Sequence, residues 1–293
     1  MITRRSFFKS VAIGAAAVSV PGSLLAQTAV TADSIEALTV KGNIRQSVSK
    51  WCYDKLQIPL DEFCKICKKL GMVGIDLVNE KDWDTVNKND MIVTMGSAGG
   101  SGIATGFNRL ENHDKLVANF ERVIPIAAAA KVPNLICMSG NRAGISDEEG
   151  MENCIIGLKR IVPLAEKHGV TLHMELLNSL VNHKDYHADS TAWAAEIARK
   201  ISSERFKLLY DIYHMQIMEG NIIDTIKKNK DVIGHYHTGG VPGRQDLDDQ
   251  QEIYHPPIMK AILETGYKGF VAHEFLPKKS LQSLREAVKL CDV

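Results

Sequence analysis

Short apolar runs alternate with amphipathic stretches over most of the chain. Runs at residues 44–49, 73–78, 91–95, 135–138, 170–176, 206–210, 233–237 and 270–273 predict eight β-strands. Between them, apolar residues recur at helical spacing. The groups are Leu60, Phe63, Cys67 and Leu70; Leu116, Phe120, Val123 and Ala127; Ile155, Leu158, Val162 and Ala165; Trp193, Ile197 and Ile201; and Leu281, Leu284 and Val288. Gly71 and Gly169 stand where helix-ending glycines belong, just before the next strand. Near-continuous apolar strands separated by helices indicate a parallel sheet covered by helices. Eight such units within about 250 residues point to an α/β fold, a single-domain (β/α)8 TIM barrel. No Pro/Gly/Ser-rich linker or internal repeat divides residues 40–293. An open doubly wound sheet is the competing arrangement, and it more often carries a Gly-rich phosphate loop after its first strand. Here the Gly-rich stretch 96–102 follows the third strand and lacks the P-loop lysine, so it reads as a flexible loop.

Of the 293 residues, 45% are hydrophobic and 24% charged, which excludes a disordered chain, a collagen-like repeat and a multi-span membrane protein. Lys+Arg and Asp+Glu are both 35, so no global field attracts nucleic acid, and no nucleic-acid partner is expected. The first residues read differently. Thr3-Arg4-Arg5-Ser6-Phe7-Phe8-Lys9 precede a mild apolar stretch, residues 11–26, which is interrupted by Gly14, Pro21 and Gly22 and is too short to span a membrane well. The pattern resembles a twin-arginine export signal. The resemblance implies a signal peptide and leader over residues 1–32, cleaved after Ala26 or Ala32, and a barrel domain over 33–293. It also implies passage through the twin-arginine translocase, a periplasmic location and no membrane span after removal of the signal. Six cysteines remain, at 52, 64, 67, 137, 154 and 291. An exported protein can bridge them, but Cys64 and Cys67 lie in a helical stripe and no second C-x-x-C accompanies them. They read as buried small apolar residues.

A barrel carries its chemistry at the C-terminal ends of its strands. The fifth run reads Val170-Thr171-Leu172-His173-Met174-Glu175-Leu176-Leu177-Asn178, and the sixth ends Tyr210-Asp211-Ile212-Tyr213-His214. The seventh reads Ile233-Gly234-His235-Tyr236-His237, and the eighth ends Ala272-His273-Glu274. Four consecutive strands thus end in Glu175, Asp211, His237 and Glu274, at spacings of 36, 26 and 37 residues, each one βα unit long. A single strand-end acid commonly caps the next helix. Three converging on one mouth repel unless something positive sits among them. Oxygen ligands with one imidazole suit a single divalent metal, Mn2+, Mg2+ or Co2+, and also accommodate Zn2+. His214, three residues after Asp211, is a candidate for substrate contact, and so is Asn178. Arg244 closes the loop Gly239-Gly240-Val241-Pro242-Gly243-Arg244 and offers a planar fork for carboxylate or carbonyl oxygens. His235 shares the inward face of His237, as His173 does that of Glu175, which suits supporting roles. His273 points outward, towards the helices.

These residues carry a resemblance. Met174-Glu175-Leu176-Leu177-Asn178-Ser179, Tyr210-Asp211-Ile212-Tyr213-His214-Met215-Gln216, Gly234-His235-Tyr236-His237 with Val241-Pro242-Gly243-Arg244, and His273-Glu274-Phe275 resemble the xylose-isomerase-like TIM barrel superfamily, and within it the hydroxypyruvate isomerases. The resemblance implies that Glu175, Asp211, His237 and Glu274 bind one divalent metal while His214 and Arg244 contact substrate. One residue departs: hydroxypyruvate isomerases usually carry Gln where His237 stands, whereas keto-sugar 3-epimerases carry His. The chemistry that fits is proton transfer α to a carbonyl in a small keto acid or keto sugar, with Glu175 and Glu274 acting as both ligands and general acid/base. The protein would then be an isomerase, with a homo-oligomer compatible. Alternatives are a keto-sugar 3-epimerase, a non-catalytic periplasmic metal- and sugar-binding protein, and a dehydratase of keto-inositols. Phosphodiester cleavage of the endonuclease-IV type needs more His and Asp ligands and a basic surface, neither of which is present.

Overall fold

The structure, a computed structural model, describes residues 31–98 and 102–293. The expected twin-arginine segment lies outside the described residues up to residue 30. The strands are β1 (Arg45–Ser49), β2 (Gly74–Asp76), β3 (Val78–Asn79), β4 (Ile92–Val93), β5 (Gly96–Ser97), β6 (Asn134–Cys137), β7 (Thr171–Glu175), β8 (Phe206–Asp211), β9 (Ile233–Thr238) and β10 (Phe270–His273). Every pairing among them is parallel, in the order β3-β5-β6-β7-β8-β9-β10-β1-β2-β4.

Ten short strands reduce to the eight expected. β2 and β3 are one path broken at Leu77, whose φ is 50°, and β4 and β5 are its neighbour broken alongside. Backbone bonds cross the breaks, from Thr94 N to Ile75 O at 2.9 Å and from Val78 N to Met95 O at 3.0 Å. With each broken path counted once, every strand has two neighbours and the ring closes as a (β/α)8 barrel.

Around it lie α1 (Leu60–Lys69), α2 (Trp83–Lys88), α3 (Leu110–Ala129), α4 (Asp147–Lys159), α5 (Val162–His168), α6 (Thr191–Ile201), α7 (Ile212–Met218), α8 (Ile222–Lys228), α9 (His255–Glu264) and α10 (Leu281–Cys291). Among the described residues, no helix is long and apolar enough to cross a membrane. The stripe from Ile155 to Ala165, expected as one helix, is split into α4 and α5. Pro163 has no N–H to continue α4 but fits the first turn of α5. Gly169, at φ 70°, ends α5 in the left-handed conformation that a side chain would disfavour. The Gly-rich stretch also differs from expectation. Gly96 and Ser97 form β5, between Val78-Asn79 and Leu135-Ile136, while residues 99–101 lie outside the described residues. All six cysteines are buried and unbridged, as expected of small apolar residues.

Strand alternation sorts the side chains into two layers. Val48, Ile75, Val93, Leu135, Leu172, Met174, Leu208, Tyr210, Tyr236 and Val271 join the main core, between sheet and helices. The opposite set faces the barrel axis. Among the described residues, Met95, Ile136 and Leu209, with Leu77 and Met138 against them, make an apolar cluster there. Ser47, Asp76, Thr94, His173, Glu175, Asp211, His235 and His237 also face inward, and all are buried. A one-residue bulge at Gly234 sets this face on β9. Leu208 pairs with Ile233 but Leu209 pairs with His235, so His237 comes to lie opposite Asp211.

Two strands approach closely at Gly74, where an added Cβ would lie 2.3 Å from the Ile92 carbonyl oxygen and 2.5 Å from Thr94 Cγ2. Gly74→Ala is therefore expected to push β2 from β4 and destabilise the protein by about 1–3 kcal/mol. Urea unfolding checks this: the midpoint should fall at unchanged slope, whereas an unchanged midpoint would mean that the two strands part freely.

Candidate active site

Glu175 ends β7, Asp211 ends β8, His237 is the penultimate residue of β9, and Glu274 follows β10 directly. The barrel brings all four together, with one donor atom from each within 4.8 Å of the others. His237 Nδ1 lies 2.7 Å from Glu274 Oε2, 3.4 Å from Glu175 Oε1 and 3.8 Å from Asp211 Oδ2. None of these approaches has hydrogen-bond geometry, and Nδ1 is a buried atom without a hydrogen-bonding partner. On the other side of the ring, Nε2 donates to Asp76 Oδ2 at 2.9 Å. A neutral ring that donates from Nε2 leaves a lone pair on Nδ1, aimed at three carboxylates. Burial opposes a second proton on this ring, but Glu274, Asp211, Asp76 and Glu175 together raise its pKa well above the ordinary histidine value. A positive centre is thus called for where these atoms converge. Three carboxylates and one imidazole nitrogen fit a divalent cation such as Mn2+, Mg2+, Co2+ or Zn2+.

The protein supplies one full positive charge of its own. Arg244 Nη2 donates to Asp211 Oδ2 at 2.8 Å and also to the Glu274 carboxylate, and its Nε donates to the Glu274 backbone oxygen at 2.9 Å. The guanidinium lies 5.2 Å from the Tyr213 ring centre and 5.9 Å from that of Trp51. Trp51 Nε1 donates to Glu274 Oε1 at 2.7 Å. These contacts separate the two glutamates. Burial raises the Glu175 carboxyl above its ordinary value. Burial also works on Glu274, but Arg244 and His237 outweigh it and hold that carboxyl below its ordinary value. Asp211 is held well below the carboxylate range, as Arg244 and its histidine neighbours outweigh its burial. Its two oxygens divide their work. Oδ1 caps α7 by accepting from Tyr213 N at 2.9 Å and His214 N at 3.3 Å, while Oδ2 faces the site.

His214 is buried, and burial depresses its pKa to about 3. Its Nδ1 accepts from Asn178 N at 3.1 Å, and its Nε2 is 2.7 Å from Arg244 Nη1, so the ring stands beside the carboxylate cluster. Of the expected substrate contacts, Arg244 lines the cavity above the cluster, whereas His214 and Asn178 lie buried behind it. Asn178 is fully buried; its amide bonds Asn182 and meets His214 Nδ1 at 2.6 Å, and its Oδ1 accepts from Val181 N and Asn182 N. It organises the loop after β7 and is not among the residues lining the cavity above the cluster. His273 faces the helices as expected, with its ring nitrogens meeting Gln46 Oε1 and Thr238 Oγ1.

That cavity measures about 380 Å3. Leu77, Ile103, Ile136, Met138 and Leu177 form an apolar wall, Asn79, His183 and Arg244 supply polar groups, and Glu175 and Glu274 reach it from the cluster. The size suits a small molecule. A larger groove of about 600 Å3, lined by Trp83 and Ile126, contains no comparable set of donors. Three residues of the site escaped the sequence reading: Trp51, Asp76 and His183. The strand-end rule reaches two of them when applied to the first strands as well, since Trp51 lies two residues past β1 and Asp76 ends β2.

Residues 67–291 match the model of the xylose isomerase-like TIM barrel family. The chain belongs to this family. Among its relatives, a hydroxypyruvate isomerase from Escherichia coli K12 is 29% identical over 191 residues, 64% of this chain and 71% of that protein. A provisionally named hydroxypyruvate isomerase from Xenopus laevis is 29% identical over 150 residues, covering 50% of this chain and 54% of that protein. The chain spans about a third to six tenths of the length of the animal relatives that it matches. A crystal structure of an AP endonuclease, family 2, from Brucella melitensis superposes with a TM-score of 0.71 at 20% identity, over 82% of this chain and 95% of that one. At that identity the likeness shows the xylose isomerase-like fold alone.

The histidines of this xylose isomerase-like barrel give it a definite acid sensitivity. Burial depresses His173 and His273 to about 3 and His255 to about 4, from an ordinary 6.5. Below pH 6.5 the unfolded chain takes up protons that these buried rings refuse. Stability is therefore whole above pH 6.5 and is lost as pH falls towards 4, with each ring removing up to about 2 kcal/mol at pH 5. Glu175 and His237, held above their ordinary values, work in the opposite sense, so the share of one ring is read by difference: between pH 7 and 5 the melting temperature of His255→Gln should lose less, or gain more, than that of the unaltered protein. The same pH dependence in both proteins would contradict the burial of a neutral His255.

Proposed function

We propose that this protein is a metal-dependent isomerase that acts on a small 2-keto acid or keto sugar by proton transfer next to the carbonyl. The observation that carries this reading is the convergence of Glu175, Asp211, His237 and Glu274 on one point beside a small cavity, with His237 Nδ1 lacking a hydrogen-bond partner. The names of the E. coli and Xenopus laevis relatives support the reaction class, although the matches cover only part of their lengths.

A divalent cation held by these four side chains supplies positive charge against the negative charge that develops on adjacent substrate oxygens. Glu274, kept ionised by Arg244 and fixed at Oε1 by the Trp51 N–H, is the group to remove a proton from carbon. Glu175, raised by burial, is the group to hold a proton and return it. Arg244 presents guanidinium N–H groups to a substrate carboxylate or hydroxyl, and the neutral His214 ring stands beside it to hydrogen-bond a substrate oxygen. The apolar wall keeps water from the reacting carbon. Proton return to the neighbouring carbon gives isomerisation; return to the opposite face of the same carbon gives epimerisation. A keto-sugar 3-epimerase is the second reading, favoured by a histidine rather than a glutamine at position 237. Export through the twin-arginine translocase into the periplasm completes the proposal and rests on residues 3–9 alone.

Purified protein with Mn2+, assayed against hydroxypyruvate and a panel of keto sugars, tests this reading. About one cation per chain should bind by calorimetry, and turnover should vanish in EDTA and return with Mn2+. Cation binding with no turnover of any keto substrate would favour a binding protein instead. Glu274→Gln should keep the fold and most of the cation binding but lower kcat by about 10²–10⁴-fold. A near-normal kcat in that variant would remove Glu274 from the proton-transfer role.

A further inference from the structure

Asp76 ends β2 inside the barrel and is fully buried. Its Oδ2 accepts from His237 Nε2 at 2.9 Å. Its Oδ1 accepts from the Thr94 hydroxyl, which lies 3.0 Å from Ser47 Oγ, and stands 3.1 Å from His235 Nε2. The His235 and His237 rings meet edge to face, with centres 5.3 Å apart at 80°. One carboxylate, three strands round the barrel from β9, thus stands within 3.1 Å of two imidazoles of β9 and is held by the Thr94 hydroxyl from the segment between β4 and β5.

We propose that Asp76 is a positioning residue that keeps a hydrogen on His237 Nε2 and so keeps the Nδ1 lone pair aimed at the point where Glu175, Asp211 and Glu274 converge. The proposal rests on the metal-site reading above and extends it to the residue behind the site. An ionised carboxylate only accepts hydrogen bonds, so the ring nitrogen facing it must be the donor. A neutral imidazole has one N–H, and fixing it on Nε2 leaves Nδ1 free for a cation. The shared grip also fixes the angle of the ring. Rotation of His237 would break its bond to Oδ2, and movement of Asp76 would break its bond to Thr94 and its contact with His235. The arrangement needs the close approach of β2 to β4, which brings Thr94 to Asp76 and which Gly74 permits.

The isosteric Asp76→Asn variant turns one acceptor into an N–H donor. Measured by calorimetry with Mn2+ alone, its dissociation constant should be about 10–100-fold weaker than that of the unaltered protein, at the same stoichiometry of one and with the same far-UV circular dichroism. Unchanged Mn2+ affinity would overturn the proposal. Two cations per chain in the unaltered protein would also overturn it, since Asp76, His235 and His237 would then be ligands of a second ion. A measurement that needs no variant is nitrogen-15 NMR of the imidazoles at pH 8, metal-free and with Zn2+. A hydrogen on His237 Nε2 in both states is expected, and a bare Nε2 would overturn the proposal. If the unaltered protein binds no cation, the functional reading fails, and the metal-free spectrum still decides the role of Asp76.

Discussion

Three carboxylates buried within a few ångströms of one another are the constraint around which this barrel is built. Each is answered differently. Asp211 gives one oxygen to the start of α7 and the other to Arg244. Glu274 takes the Trp51 N–H on one oxygen and the guanidinium on the other. Glu175 has the least compensation, and burial raises its pKa. One guanidinium against three acids leaves negative charge to be met at the point that His237 Nδ1 also faces. The same shortfall that makes the cluster unfavourable without a counter-ion makes it receptive to a cation.

The fold tolerates this because stability and chemistry occupy different layers. The continuous apolar core lies outside the sheet, between strands and helices, and takes one residue in two from nearly every strand. The axis carries a small apolar patch on the side of Met95, Ile136 and Leu209 and a chain of hydrogen-bonding groups on the side of β1, β2 and β9. Small barrels more commonly fill their interiors with branched apolar side chains. Here the polar filling runs from Ser47 through Thr94 and Asp76 to His237, so the base of the site is itself anchored to the sheet. Polar groups this deep are favourable only when satisfied, and each link from Ser47 to His237 is made at hydrogen-bond distance.

Much was legible in the sequence, and the reason is local. Strand period, helix stripes and glycine stops are properties of short segments, so the eight βα units and the barrel could be read directly. The strand-end positions of Glu175, Asp211, His237 and Glu274 follow from the same periodicity, because each strand delivers its last inward residue to one mouth. What was misread is also local in origin. Pro163 splits a stripe that looks continuous, and Gly96-Ser97 look like loop but pair as strand because Val78-Asn79 and Leu135-Ile136 lie on either side.

Only the tertiary structure decided how these groups meet. That Asp76 lies behind His237 depends on β2 and β9 facing each other across the barrel, 161 positions apart in the chain. That Trp51 fixes Glu274 depends on ring closure between β1 and β10. Asn178 lies three residues past the end of β7, and its amide turns under the loop to Asn182 and His214. Periodicity states which face of an element a side chain occupies. Which partner waits on that face, and which oxygen or nitrogen it engages, is set by closure of the sheet and by the bulge at Gly234, and neither leaves a mark in local sequence strong enough to read.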